Sequence, residues 1–137
     1  MSKVEISVAK KFTLGKDERL KSRKQIDQLF AKGQKFSSGF FRVFFLIKNA
    51  GGPTLQFGIT VSNKIFKKAV DRNKIKRLGR EAWRLQKNEL KEKLSASGKQ
   101  MNIFLVYTSK TIATYAEVAE AIQKIISKLY KNSSDPG

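Results

Sequence analysis

A row of basic residues in the middle of the chain recurs at every fourth position, namely Arg72, Lys76, Arg80 and Arg84. In a helix, residues four apart lie on one face, and like charges placed there destabilise the helix unless an anion lies across them. The planar guanidinium of arginine suits bidentate contact with phosphate, and Asn73 adds a donor and an acceptor beside it. The types and the spacing of these residues therefore predict a helix face that binds phosphates.

The basic excess of the chain is concentrated around this row. Residues 64–93 hold twelve of the 29 lysines and arginines but only four acidic residues. An ordinary solvated helix with Lys–Glu pairs is the alternative, and it accounts poorly for like charges repeated at four-residue spacing. Trp83 lies near the edge of the basic sector, where it either stacks on a base or, as we expect, caps the core. The candidate nucleic-acid-binding residues are Lys64, Lys68, Arg72, Asn73, Lys74, Lys76, Arg77, Arg80 and Arg84.

The composition of the whole chain of 137 residues narrows the possible functions. Its formal net charge is +18, and it has no histidine and no cysteine. A disulfide, a thiolate nucleophile, an imidazole base and the cysteine or histidine ligands of zinc are thereby excluded. A charge this positive predicts an anionic partner, which is a nucleic acid, an anionic membrane surface or an acidic protein. A disordered basic tail is disfavoured, because 40% of the residues are hydrophobic and can bury a core.

Neither a membrane span nor a secretion signal is expected. The apolar run at residues 43–47 is far short of the ~20 residues that a membrane helix needs. Charged residues interrupt the first 16 residues, unlike the apolar stretch of a signal peptide. We therefore expect a soluble cytoplasmic protein with one domain at residues 21–131, a flexible basic arm at residues 1–20 and a tail at residues 132–137.

The hydrophobic pattern predicts six elements in the order α-β-β-α-β-α. Two helices open with a capping box, in which Ser22 pairs with Gln25 and Thr114 with Glu117. The turn residues at 49–53 predict a hairpin between the first two strands. If the second and third strands are parallel neighbours, a right-handed crossover is the default. Helices are expected at residues 22–32, 70–94 and 114–131, and strands at residues 36–47, 55–62 and 103–108.

Alternation along the second predicted strand gives it two different faces. One face carries Leu55 and three further large apolar residues, whereas the other carries Gln56, Gly58, Thr60 and Ser62. The apolar face is suited to the core, and the small or polar face is left free for a ligand. The first strand is apolar on both faces, which predicts a strand that is buried on both sides. Phe41, Val43, Phe45 and Ile47 share one of its faces, and Phe40, Arg42, Phe44 and Leu46 share the other.

The basic helix opens with the segment Ala69-Val70-Asp71-Arg72-Asn73-Lys74-Ile75-Lys76-Arg77, and Arg80-Glu81 follows. This segment resembles the signature of the bacterial ribonuclease P protein component. Its flanks are similar too, at residues 19–21 and in the strand at residues 57–64 that leads into the signature. The resemblance covers residues 17–131. It implies a protein that binds the catalytic RNA of ribonuclease P and the single-stranded 5′ leader of precursor tRNA.

The resemblance also implies a fold and a division of labour. The fold is a single-domain α+β sandwich of helices against a mixed sheet, similar to domain two of a small-subunit ribosomal protein and to a domain of a translocation factor. Its βαβ crossover is left-handed, which replaces the right-handed default. The RNA performs magnesium-dependent hydrolysis, and the protein improves substrate binding and metal affinity. The resemblance therefore implies no catalytic residue in this chain, with Mg²⁺ bound mainly by the RNA and none held by the protein alone.

Two groups of site residues are carried over from this resemblance. Phe30 and Phe44 match aromatic positions of a central cleft, where rings can stack on the bases of the leader, and core packing is the alternative for both. Ile26 stands at a cleft position where an aromatic residue is common. Thr60 and Ser62, from the small or polar face of the second predicted strand, complete the candidate leader-binding cleft. The signature residues expected to contact RNA are Arg72, Asn73, Lys74, Lys76, Arg77 and Arg80.

The expected partners are thus ribonuclease P RNA and the 5′ leader of precursor tRNA, with neither a membrane nor DNA expected. A ribosomal or general RNA-binding protein of the same fold is the second possibility. Such a protein needs positive charge but does not need Arg72 and Asn73 at their positions. A membrane-surface protein is the third possibility, and it requires an apolar helix face that is free for lipid. The apolar face of the basic helix is instead expected to pack on the sheet.

Overall fold

The computed structural model describes residues 19–20, 22–49 and 54–134. The predicted arm at residues 1–20 lies outside this range except for its last two residues, and the predicted tail is described only to residue 134. No helix in the described range is both long and apolar enough to cross a membrane. The elements in chain order are α1 (Arg23–Lys32), β1 (Gln34–Ser38), β2 (Phe41–Asn49), β3 (Leu55–Val61), α2 (Ala69–Gln86), α3 (Asn88–Ala96), β4 (Lys99–Tyr107) and α4 (Tyr115–Ser134).

The four strands form one mixed sheet in the order β1-β2-β4-β3. β1 pairs antiparallel with β2, and β2 pairs antiparallel with β4, whereas β3 runs parallel to β4. β4 therefore lies between β2 and β3, and the hairpin predicted at residues 49–53 is wrong. The hairpin joins β1 to β2 instead, at Gly39, whose positive φ of 58° suits glycine. The single strand predicted at residues 36–47 is accordingly two strands.

The chain passes from β3 to β4 through α2 and α3, which confirms the predicted α+β class with helices against a mixed sheet. The left hand of this crossover stays a prediction. The one helix predicted at residues 70–94 is two helices that meet at Lys87. The backbone of Lys87 keeps helical angles, and its N–H donates to the carbonyl oxygen of Trp83 at 3.0 Å. Because apolar residues continue at helical spacing across this junction, the sequence pattern does not reveal it.

The helices α2, α3 and α4 cover one face of the sheet, and most of the core lies there. The indole of Trp83 is fully buried and stacks on the ring of Phe57, with 4.5 Å between ring centroids and 15° between ring planes. The prediction that Trp83 caps the core is thus confirmed. Gly79 lets α2 approach the sheet closely, because a Cβ at this position would collide with Cδ1 of Ile59.

Both predicted capping boxes lie at the start of a helix. The N–H of Glu117 donates to Oγ1 of Thr114 at 3.3 Å, and Oε1 of Glu117 accepts the N–H of Thr114 at 2.9 Å. At α1, Oγ of Ser22 accepts the N–H of Gln25 at 3.3 Å. Tyr115, in the first turn of α4, is 40% exposed. The apolar residues that follow it at helical spacing are buried in the core, namely Val118, Ile122, Ile125, Ile126 and Leu129.

The helix α1 packs on the opposite face of the sheet, which we name the outer face. Leu29 joins Leu20 and Phe104 in a small second core on this face. The N–H of Leu20 donates to the carbonyl oxygen of Phe57 at 2.9 Å, so the segment before α1 pairs with the outer edge of β3. Arg42 on the outer face is exposed. The single helix α1 therefore leaves part of the outer face accessible, whereas three helices close the other one.

Candidate nucleic-acid interface

Three phenylalanine rings meet where α1 packs on the outer face. Phe30 from α1, Phe44 from β2 and Phe104 from β4 form what we name the aromatic cluster. Phe30 stands edge-on to both other rings, with centroid distances of 4.6 Å to Phe44 and 5.6 Å to Phe104. Phe104 is 8% exposed, whereas Phe30 is 45% exposed. The aromatic cluster therefore has a buried base and an exposed rim, and a nucleobase can stack on such a rim.

Two glycines allow this close approach of α1, the rings and the sheet. At Gly58 of β3, a Cβ would come within 2.7 Å of the ring of Phe104 and 3.1 Å of the carbonyl oxygen of Leu20. At Gly33, directly after α1, a Cβ would lie 2.9 Å from the carbonyl oxygen of Phe45. Both positions require the absence of a side chain, because the backbone and the rings occupy its space.

The remaining residues of the predicted cleft contribute in different ways. Ile26 lies one turn before Phe30 on α1 and packs against the second core. Thr60 is half-buried on the outer face of β3, two residues beyond Gly58. Ser62 follows β3, and its Oγ accepts the N–H of residue 64 at 3.1 Å. The structure thus brings Ile26 and Thr60 to the outer-face side of the sheet, whereas the hydroxyl of Ser62 shapes the turn towards α2.

The predicted nucleic-acid-binding residues lie on α2 and in the loop before it. Buried residues define the inner side of α2, from Ile75 through Gly79 to Trp83, so its opposite side faces solvent. We name the exposed polar residues Asn73, Lys74, Arg77 and Arg80 the cationic face. Arg72, Lys76 and Arg84 are half-buried along its borders, and Lys64 and Lys68 are exposed in the loop at residues 62–68.

One nitrogen of the Arg72 guanidinium is hydrogen-bonded to the backbone of the protein itself. Its Nη1 donates to the carbonyl oxygen of Phe66 at 2.7 Å and to that of Lys67 at 2.8 Å. The predicted contact of Arg72 with RNA stays a prediction, and the structure adds an internal role for the same group.

Arg84 is engaged by an acidic neighbour on the same helix. Its guanidinium forms an ion pair with Glu81, in which Nε donates to Oε2 at 3.2 Å. Hydrogen bonding to Glu81 raises the pKa of Arg84 above its ordinary value. The charge of this guanidinium is balanced by the Glu81 carboxylate beside it. In the described part of the chain, no ion pair or hydrogen bond within the protein involves the side chains of Arg77 and Arg80. These two arginines present unbalanced charge to solvent.

The acidic side chains in the described part of the chain do not form a metal site. Within residues 19–20, 22–49 and 54–134, no three acidic residues come close enough together to hold a metal ion. Glu81 is committed to Arg84, and Glu117 is committed to the cap of α4.

The candidate interface consists of two parts. One is the aromatic cluster, which is suited to unpaired bases, and the other is the cationic face, which is suited to phosphates.

Known proteins are similar to this chain in sequence and in fold. The model of the ribonuclease P family matches residues 14–130. This chain belongs to the ribonuclease P protein family. It is 31% identical to the ribonuclease P protein component of Porphyromonas gingivalis over 122 residues, which cover 88% of this chain and 89% of that protein. Its identity to the ribonuclease P protein component of Syntrophus aciditrophicus is also 31%, over 90% of this chain and 96% of that protein.

Solved structures of ribonuclease P proteins have the same fold. The protein from Thermotoga maritima matches with a TM-score of 0.64 at 26% identity, over 81% of this chain and 96% of that chain. The protein from Staphylococcus aureus matches with a TM-score of 0.66 over 84% of this chain and 99% of that chain. The Staphylococcus aureus protein is 22% identical to this chain, so this similarity shows only that the two share a fold. The predicted ribonuclease P resemblance is confirmed.

One member of the aromatic cluster, Phe104, is not among the residues predicted from sequence. Phe104 lies in a segment that was predicted only as an apolar strand, without a place in the cleft. The signal for it is alternation, because Phe104 and Val106 lie on the face opposite to Ile103 and Leu105. Since residues 103–107 of this strand are all apolar, the pattern alone does not say which face meets α1.

Proposed function

We propose that this chain is the protein subunit of ribonuclease P and binds both the catalytic RNA and the 5′ leader of precursor tRNA. The observation that carries the proposal is the position of β3 between two surfaces. Gly58 and Thr60 of β3 lie on the face of the aromatic cluster. The chain then continues through Ser62 into the loop and the cationic face of α2. A stacking surface next to a phosphate-binding helix is what a single strand beside a folded RNA requires.

The two surfaces take different parts of the RNA in this proposal. The aromatic cluster holds the single-stranded leader, because every base offers a ring face and stacking contributes about 1–3 kcal/mol per base. The cationic face neutralises phosphates of the catalytic RNA, so its contribution weakens as salt rises. Only precursor tRNA carries a leader. The aromatic cluster would therefore distinguish the substrate from mature tRNA.

Hydrolysis and its Mg²⁺ are assigned mainly to the RNA subunit, and no catalytic residue is assigned to this chain. The support is chemical. Guanidinium groups stay protonated in proteins, and phenyl rings carry no exchangeable proton, so the arginines and the rings of the two surfaces bind and orient RNA without transferring protons. We place this activity in the cytoplasm, where the absence of cysteine is compatible with a reducing environment.

Reconstitution with ribonuclease P RNA tests the proposal. The protein, the RNA and a precursor tRNA with a 5′ leader are mixed at limiting magnesium. We expect faster 5′ maturation than with RNA alone, and tighter binding of the precursor than of mature tRNA. A variant with Arg77→Gln and Arg80→Gln is the matched control, because both residues are exposed and their loss should spare the fold while abolishing stimulation.

Two outcomes would contradict the proposed function. A protein that fails to stimulate a cognate ribonuclease P RNA is not its subunit. Equal binding of unrelated structured RNAs, precursor tRNA and mature tRNA would favour a general RNA-binding protein of the same fold.

A further inference from the structure

The loop at residues 62–68 connects the outer face to the cationic face, and three contacts hold its backbone. At its start, the carbonyl oxygen of Ser62 accepts the N–H of Ile65 at 3.3 Å and that of Phe66 at 3.0 Å. In its middle, Phe66 is buried, with its ring 6.1 Å from the ring of Tyr107. At its end, the guanidinium of Arg72 binds two backbone carbonyl groups. The loop is therefore fixed by backbone and core contacts, and its charged side chains are left outside.

The contact made by Arg72 is specific in geometry. One nitrogen, Nη1, donates at 2.7 Å to the carbonyl oxygen of Phe66 and at 2.8 Å to that of Lys67. α2 begins at Ala69 without a side-chain cap, since its N-cap residue is Lys68. A charged donor that bonds two successive carbonyl groups just before this helix holds the backbone there, although a donor does not cap the N–H groups of the first turn.

We name the two hydrogen bonds from Arg72 to the carbonyl groups of Phe66 and Lys67 the clamp. The lysines of the loop lie around it. Lys64, Lys67 and Lys68 are all exposed, and the backbone of Lys67 is one of the two clamped groups. Their charges lie next to the N-terminal end of α2, whose exposed side carries the cationic face. A loop held in one conformation presents these charges to phosphates without the loss of freedom that a mobile loop would suffer on binding.

We infer that Arg72 is a positioning residue, which fixes the loop at residues 62–68 so that Lys64, Lys67 and Lys68 meet RNA together with the cationic face. This role rests on the proposed function, because it presumes an RNA partner. It differs from the expectation drawn from sequence, in which Arg72 is itself a phosphate contact. Arg77, one and a half turns later, is exposed and serves as the comparison for a direct contact.

Hydrogen exchange in the free protein tests the clamp without any RNA. The amides of Ile65 and Phe66 report on the loop, because both are hydrogen-bonded to Ser62. Arg72→Lys keeps the charge, but its flexible ammonium does not reproduce the planar donor group. We expect Arg72→Lys and Arg72→Gln to speed exchange at these amides by about tenfold, since hydrogen bonds from charged donors are the strong ones. Arg77→Lys should leave them unchanged, and so would Arg72→Lys if the clamp were absent in solution.

A double-mutant cycle tests whether the clamp acts through the lysines. The affinity for ribonuclease P RNA is measured for Arg72→Gln, for a loop variant with all three lysines changed to glutamine, and for the combination. In the positioning role, the loop variant costs clearly less affinity in the Arg72→Gln background than in the wild type, because the two changes act on one unit. Additive costs would make Arg72 an independent phosphate contact and overturn the inference. Wild-type affinity in the loop variant would overturn it as well.

Hydrogen exchange and the RNA affinities together distinguish a failure of the positioning role from a failure of the proposed function. A wild-type protein that does not bind ribonuclease P RNA contradicts the proposed function, whatever the exchange rates are. A wild-type protein that binds the RNA, but whose loop amides ignore Arg72, contradicts the positioning role alone. Thermal unfolding of each variant, with all measurements made well below its Tm, excludes global unfolding as the cause. The Arg72→Lys variant is the mildest of the set and keeps the test valid if Arg72→Gln folds poorly.

Discussion

The ring of Phe30 stands edge-on to the ring of Phe44, with 4.6 Å between the ring centroids and 85° between the ring planes. This contact helps to fix α1 on the outer face, because edge-to-face pairs add about 0.5–1.5 kcal/mol beyond the area they bury. Phe30 nevertheless keeps 45% of its surface exposed. Core packing and base stacking, which are alternatives for this ring on sequence grounds, are therefore compatible at one position.

Phe30→Ala is expected to weaken the binding of precursor tRNA with a leader and to leave the binding of mature tRNA nearly unchanged. Loss of one stacked base corresponds to about 1–3 kcal/mol, or roughly 5- to 150-fold in Kd. The measurement is the affinity of reconstituted ribonuclease P for the two tRNAs in parallel.

Phe36→Ala is the matched control for this experiment. Phe36 makes a similar contact with Phe45, at 5.9 Å between centroids, but on the face covered by the three helices. Its loss should lower the free energy of unfolding and spare the preference for precursor tRNA. If Phe30→Ala weakens the binding of both tRNAs equally, Phe30 serves packing alone.

Local patterns predicted the parts of the fold that depend on neighbours in sequence. The capping box of Thr114 and Glu117 is a four-residue pattern, and both of its backbone bonds are present. The pairing of β2 and β3 with β4 depends instead on contacts between distant segments. The turn composition at residues 49–53 is typical of a hairpin, but composition does not say which strand becomes the neighbour. Gly39 is the actual hairpin position, and a single glycine within a phenylalanine-rich stretch is a weak signal for it.

In the candidate site, too, local patterns were predictable from sequence, whereas contacts between distant segments were not. Charge and helical spacing predicted that basic residues gather along α2, and Arg77 and Arg80 are exposed there. The sequence does not show what each guanidinium meets inside the protein. Arg72 meets two backbone carbonyl groups and Arg84 meets Glu81, and only the folded chain brings the carbonyl groups of a loop to the side of a helix.

Gly58→Ala is expected to destabilise the protein and to displace the base of the aromatic cluster. The new Cβ would lie 2.7 Å from Cδ1 and 2.8 Å from Cε1 of Phe104, and backbone of Leu20 lies on its other side. Overpacking of this kind costs about 1–3 kcal/mol. Denaturant unfolding measures this loss, and the preference for precursor tRNA over mature tRNA should fall with it.

Gly79→Ala is the control for this change, because it adds the same methyl group on the helix-covered face, against the end of the Ile59 side chain. It should alter stability without altering the preference for precursor tRNA. A Gly58→Ala protein that folds and keeps the full preference would show that the position of Phe104 does not matter for the leader.

Arg77→Ala is expected to reduce the salt dependence of RNA binding more than Arg84→Ala does. Arg77 presents unbalanced charge, so its removal should lower the slope of log K against log salt by about 0.7–0.9, the contribution of one phosphate. The charge of Arg84 is already balanced by Glu81, and that pair raises the pKa of Arg84. Titrations of ribonuclease P RNA at several salt concentrations measure both slopes.

Glu81→Gln supplies the converse test of the same ion pair. The variant removes the balancing charge and leaves Arg84 free to act on phosphates, so the slope should become steeper than that of the wild type. The double variant Glu81→Gln with Arg84→Ala should return to the wild-type slope or below it. Equal slopes for Arg77→Ala and Arg84→Ala would mean that the ion pair opens when RNA binds.

Thr114→Ala is expected to destabilise the protein by about 1 kcal/mol, within the range of 0.5–2 kcal/mol for loss of an N-terminal cap. The hydroxyl of Thr114 accepts the N–H of Glu117 at 3.3 Å, and its loss leaves that donor without an acceptor at the start of α4. Urea unfolding at neutral pH measures the change. A loss clearly below about 0.5 kcal/mol would show that solvent replaces this cap.

Glu117 makes the stability of α4 dependent on pH. The backbone N–H of Thr114, and then its hydroxyl, lower the pKa of the Glu117 carboxyl in the folded protein. A carboxyl whose pKa is lower in the folded than in the unfolded chain stabilises the fold fully above its unfolded pKa, which is about 4.3 for glutamate. This stabilisation is lost as the pH falls through the folded pKa. Glu117→Gln should therefore be less stable than the wild type at pH 7, and the difference should shrink towards pH 3. Unfolding curves of both proteins at the two pH values measure it, and a difference that stays constant would mean that the charge of Glu117 does not contribute to the cap.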